Sequence, residues 1–288
     1  MQFPSAAYAA GLPPHSFKAS VRFPAASPFC RNKPGMELDL ITFLIVCPLV
    51  FLGALVDAVA GGGGLIALPA YLLAGVPAHM ALGTNKCSSC LGTVVSAFRL
   101  WRAGYLHVGA ALPAVVCAFL GSVGGAKAAL LVPEHVFQIL LVVMLPVAAF
   151  FVFRKKAIPA EREPMDERRR LMIIALSALV CGAYDGFYGP GAGTFMLLAF
   201  TFWGRLGVKE ASGEMKAVNL ASNTAAFVTF AATGEVIWAL GLTAALFGIA
   251  GHYIGAGLVI KNGTRIVRPI IAVVLVILFV KTGWELLA

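Results

Sequence analysis

Asp57-Ala58-Val59-Ala60-Gly61-Gly62-Gly63-Gly64 and, 128 residues further on, Asp185-Gly186-Phe187-Tyr188-Gly189-Pro190-Gly191-Ala192-Gly193 share one plan: an acid at the end of an apolar run, then a cluster of glycines. Neither stretch suits a helix interior. Each glycine there costs about 1 kcal/mol relative to alanine, and a carboxylate within an apolar span is expensive enough to mark a functional position. Two such breaks at matching positions predict two symmetry-related helix interruptions around a shared site.

The surroundings of the breaks set the class. Hydrophobic residues make up 60% of the 288 and charged residues 12%, and the mean hydropathy is +0.89. That balance excludes an ordinary soluble domain and implies an integral membrane protein. The net charge of +9 comes from short basic clusters between apolar runs, without aromatic interleaving. It therefore reads as membrane orientation, with no nucleic-acid partner. Cys30, Cys47, Cys87, Cys90, Cys117 and Cys181 lie mostly within apolar segments, where secreted disulfide frameworks do not occur. Cys87 and Cys90 form a C-x-x-C without a second pair, so packing between helices is preferred to redox or zinc chemistry.

Apolar segments read at 38–58, 64–76, 80–103, 107–131 and 135–153, then at 171–188, 192–204, 213–233, 236–260 and 266–286. The second of each five is too short for a regular span of roughly 20 residues and directly follows a glycine cluster, as a broken helix would. The expected fold is an all-α multi-pass membrane protein made of two inverted repeats of about five segments. Its organisation is a proline-rich, disordered extension over 1–35, repeat 1 over 36–153, a cytoplasmic linker over 154–170 and repeat 2 over 171–288. Met36 stands directly before the first apolar run and is a second candidate start.

Register supports the repeat. A shift of 130 superposes Gly83 on Gly213, Lys86 on Lys216, Gly104 on Gly234, Gly121 on Gly251 and Gly125 on Gly255, while a shift of 128 superposes Asp57 on Asp185. An odd number of crossings per repeat makes the second copy upside down, the arrangement of alternating-access transporters. With the basic linker inside, five crossings per half place Arg99, Arg102, Arg205 and Lys209 with Lys261, Arg265 and Arg268 on the cytoplasmic side and Glu134 and Glu235 outside. The basic N-terminal tail is discordant. Re-entrant short segments would instead give four crossings per half.

Within the third segment Lys86, Ser89 and Thr93 share a helix face, with Asn85 beside them; its counterpart carries Lys216, Asn219 and Asn223. A lysine with a stripe of amides and hydroxyls offers donors that replace an anion's hydration. The competing role for each lysine is snorkelling to the interface. Gly62, Gly63, Gly64, Gly191 and Gly193 add a second donor set, because a restarting helix presents free N–H groups and glycine admits close approach. Asp57 and Asp185 either carry protons that couple transport or hold structure by capping the break or pairing with Lys86 or Lys216. His79, His107, His135 and His252 read as interfacial, and no residues have metal spacing.

The run Gly53-Ala-Leu-Val-Asp57-Ala-Val-Ala-Gly61-Gly62-Gly63-Gly64-Leu-Ile-Ala-Leu-Pro69, then Gly83-Thr84-Asn85-Lys86 and Arg99-Leu-Trp101-Arg102-Ala-Gly104, resembles the TauE/SafE family. The second half matches through Gly189-Pro190-Gly191-Ala-Gly193 and Lys216-Ala-Val-Asn219-Leu220. Covering about 40–288, this resemblance implies a multi-pass permease of the bacterial inner membrane that exports sulfite, sulfoacetate or a related sulfur anion.

The expected function is alternating-access export of a small anion, with the lipid bilayer as surroundings, a homo-oligomer as a compatible assembly and no cofactor. The alternatives are a cation or metal-ion permease using Asp57 and Asp185, and a thiol-dependent membrane enzyme.

Overall fold

A computed structural model describes residues 38–140, 143 and 165–262. The N-terminal extension, most of the linker, the tenth apolar segment and Cys30, Arg265 and Arg268 lie outside the described residues. What is described is helical: α1 (Leu40–Ala60), α2 (Gly64–Leu73), α3 (Ala78–Arg102), α4 (Val108–Leu131), α5, of which 134–140 is continuous, α6 (Glu167–Phe187), α7 (Ala192–Phe202), α8 (Val208–Ala232) and α9 (Trp238–Asn262).

Both glycine clusters break the chain. Gly61 ends α1 in the left-handed conformation at φ +75°, its N–H bonded to the Asp57 carbonyl. The chain then reverses, and α2 packs back on α1 with Ala67 against Gly53. Between α6 and α7, Gly189 and Gly191 hold φ values of +94° and +82°. The short helices that follow contain only 10 and 11 residues.

Among the described residues, four helices are long and apolar enough to cross a membrane: α1, α4, α6 and the Trp238–Lys261 stretch of α9. Their outward faces carry exposed apolar side chains, among them Leu44, Leu120, Val180 and Leu246, as contact with lipid requires. The more polar α3 and α8, each 25 residues, occupy the middle. They pack on each other, α3 also on α9 and α8 also on α4, while α1 lies along α9 and α6 along α4.

Small residues set these distances. A methyl group on Gly121 or Gly125 of α4 would strike the α6 backbone at Leu179 and Ala183, and one on Gly251 or Gly255 of α9 would strike α1 at Phe51 and Leu55. A methyl on Gly83 would likewise meet the Glu235 carbonyl, and one on Gly213 the Tyr105 carbonyl.

Three helices begin two or more residues earlier than their apolar segments suggest. For α8 the difference is five residues, because Ser212 is polar yet buried inside the bundle. For α6, Asp166 caps the start by accepting from the Arg169 N–H at 3.2 Å. For α3, Glu134 at the start of α5 supplies the cap, accepting from the Ala78 N–H at 2.5 Å and pairing with His79 Nδ1. The His79 ring donates through Nε2 to the Ala129 carbonyl and stacks on Phe137. His79 is therefore a buried joint between α3, α4 and α5 rather than an interfacial side chain, whereas His107 and His135 are exposed.

Candidate functional site

The two breaks meet each other at their glycines. A Cβ added to Gly193 would lie 2.7 Å from the Gly61 Cα, and one added to Gly64 would lie 3.1 Å from the Pro190 Cα. Two bonds tie the crossing: the Thr194 N–H donates to the Gly61 carbonyl at 3.1 Å and the Thr194 hydroxyl to the Ala60 carbonyl at 2.7 Å. Because α1 and α6 each end there, Asp57 and Asp185 are delivered to the same centre.

The lysines reach it from the central helices, and the pairing is crossed. Lys86 of the first half pairs with Asp185 of the second at 2.7 Å, and Lys216 of the second with Asp57 of the first at 2.6 Å. Lys86 also donates to Asn223 Oδ1 at 3.0 Å and Lys216 to the Asp57 main-chain carbonyl at 2.5 Å. Both lysines are buried, at 2% and 0% exposure, which rules out snorkelling in this structure. The Asp185 carboxylate accepts from Ser222 Oγ at 2.5 Å, and Asp57 Oδ1 from the Gly63 N–H at 3.3 Å. Such charges tolerate burial because each has an opposite charge and further hydrogen bonds.

Between the pairs lies a cavity of about 30 Å³, room for roughly two waters. Asn85, Lys86, Ser89, Asn219 and Asn223 line it with Asp57, Asp185, Gly63, Gly64 and Gly193. Asn85 Oδ1 is buried without a hydrogen-bond partner among the described residues, while Asn219 accepts from Asn223 Nδ2 at 3.2 Å. Lys216 joins through Asp57. Thr93, Gly62 and Gly191 lie outside the lining; the Thr93 hydroxyl donates to the Ser89 carbonyl at 2.7 Å.

Sequence reasoning missed Ser88, Gly53 and Gly248 among the lining residues and, above all, His252. Its Nε2 stands 3.9 Å from Asp57 Oδ2, and it is 2% exposed. The cysteine pair stands apart: Cys90 Sγ lies 3.3 Å from the Thr224 hydroxyl across α3 and α8, and neither Cys87 nor Cys90 lines the cavity.

This arrangement of crossed charges on broken helices coincides with a family match. Residues 46–282 fit the family described as "Sulfite exporter TauE/SafE". The chain belongs to the TauE/SafE family. Among its relatives are a "Probable membrane transporter protein ORF9" of Sinorhizobium sp, 31% identical over 85% of this chain and 93% of that protein, and the "Probable membrane transporter protein YfcA" of Escherichia coli (strain K12), 31% identical over 86% and 93%. A "Probable membrane transporter protein" of Haemophilus influenzae is 31% identical over 83% and 92%. No solved structure matches. TauE/SafE membership and the apolar helices make this an integral membrane protein of a transporter family.

Proposed function

We propose that the chain is a secondary transporter that exports a small anion, sulfite or an organosulfonate foremost, across the bacterial inner membrane. The observation that carries this reading is the crossed pair of buried ion pairs closing one cavity. Two ammonium groups offset by two carboxylates hold a neutral site. An anion entering between them is stabilised by the lysines once the carboxylates step aside or take up a proton, and Asn85, Asn219 and Asn223 supply hydrogen bonds in place of water. A cation finds both carboxylates already neutralised, which disfavours the cation-permease reading.

The same reading treats 36–153 and 171–288 as inverted repeats joined by a cytoplasmic linker. Support comes from the packing: exchanging α1 with α6, α3 with α8 and α4 with α9 maps the observed helix pairings onto one another. Rocking one unit against the other breaks one set of crossed contacts and opens the cavity to alternate sides. The substrate anion and bilayer lipid are the partners of this cycle, and assembly into a homo-oligomer is compatible with it; no nucleic acid takes part.

Purified protein in proteoliposomes, offered sulfite, sulfoacetate, taurine and thiosulfate, is expected to move at least one of them saturably, with the others competing according to charge and size. Failure to move any of the four would remove the anion reading.

A further inference from the structure

The two ion pairs are alike in their partners but not in their surroundings. At the shift of 130 that aligns Lys86 with Lys216, Ser122 of α4 corresponds to His252 of α9, and Gly92 of α3 to Ser222 of α8. Beside the Lys86–Asp185 pair the two serines are linked: Ser122 Oγ donates to the Ser222 carbonyl at 2.6 Å, and Ser222 Oγ donates to Asp185. Beside the Lys216–Asp57 pair the hydroxyl on the central helix is missing. A side chain on Gly92 would collide with the His252 ring, with Nε2 only 3.1 Å from the added Cβ. The glycine thus makes room for an imidazole beside Asp57. One ion pair has its carboxylate fixed by groups that do not titrate at neutral pH, while the other has a titratable ring there.

The charged neighbours of His252 are few. Asp57 comes from α1 and Lys216 from α8. From α3, Lys86 lines the far side of the cavity and is committed to Asp185 of α6, and Arg99 sits at the next residue, stacked on the Tyr253 ring. His252 Nδ1 is buried and has no hydrogen-bond partner among the described residues.

We propose that His252 is the proton-binding residue that couples anion transport to proton movement, and that the Asp185 side of the site is a fixed anchor. With His252 neutral, the two lysines and two aspartates sum to zero. A proton delivered by water adds to the imidazole and makes that sum +1; no other bond forms or breaks. The imidazolium Nε2–H donates to Asp57 Oδ2, and Lys216 is released from that oxygen to face the anion. One proton and one monoanion therefore bind together and cross together. This rests on the anion-transport reading above and assigns its coupling to one side chain.

The test uses purified full-length protein in weakly buffered detergent solution and methanesulfonate, which stays a monoanion across the pH range used. Binding should take up about one proton per anion in the unaltered protein. Its apparent Kd should rise about tenfold per pH unit where the free site is neutral and the occupied site is protonated. His252→Gln is expected to bind with no proton uptake and a flat pH profile. The double variant Gly92→Ser/His252→Ser, which rebuilds the serine pair found beside Asp185, should do the same and guards against a folding defect in the first. Proton uptake that persists in both variants, or pH-independent binding by the unaltered protein, would overturn this inference alone. No methanesulfonate or sulfite binding by the unaltered protein at any pH would overturn the transport reading as well.

Discussion

Lys216 is wholly buried and, among the described residues, both of its hydrogen bonds are to Asp57, so truncating it strands a carboxylate inside the bundle. Lys216→Ala should cost about 3–5 kcal/mol of stability, the usual result of breaking one partner of a buried pair. Asp57→Asn/Lys216→Met removes both charges and should recover most of that loss. Unfolding in detergent with increasing denaturant measures both, and equal losses in the single and double variants would contradict the pairing. At this scale the sequence was partly readable. An acid and a lysine at matched positions in each half pointed to a shared site, but which lysine meets which acid depends on how the halves dock, and no local pattern encodes that. His252 was overlooked because a single histidine in an apolar helix has no spacing signal. The combined exchange of Gly92 for Ser222 and His252 for Ser122 in the repeat register was the available clue.

The glycine breaks make their own prediction at the level of helices. Gly61 and Gly75 both hold positive φ, at +75° and +77°, but only Gly61 is pressed against another backbone; nothing lies within 4 Å of a side chain added to Gly75. Gly75→Ala should therefore cost only the left-handed strain, about 1–2 kcal/mol. Gly61→Ala adds a collision with Gly193 and should exceed about 3 kcal/mol. Thermal unfolding of the two variants, compared under one set of detergent conditions, gives the ranking, and similar losses would show that the breaks do not hold each other. The short helices α2 and α7 were legible because glycine clusters interrupt apolar runs in any context. The true start of α8 was not, since hydropathy registers the polarity of Ser212 but not the helices that enclose it.

For the whole molecule, the proposed five crossings per half would place the 154–170 linker and the Arg99–Arg102 end of α3 inside, and Glu134 and Glu235 outside. In a background with the native cysteines replaced, a cysteine at Ala160 should react with a membrane-impermeant maleimide only after the cells are opened, and one at Glu235 in intact cells; the reverse pattern would invert the topology. Composition made the membrane class legible, whereas the enclosure of α3 and α8 by the more apolar helices emerges only from packing. The central claim, that the crossed ion pairs are the anion site, is tested most directly by uptake of labelled sulfite into proteoliposomes. The comparison is between the unaltered protein and the charge-neutralised pairs Lys86→Met/Asp185→Asn and Lys216→Met/Asp57→Asn, each first verified as folded. The account predicts saturable uptake by the unaltered protein and at least a hundredfold loss in each variant; uptake at the unaltered rate in both would contradict it.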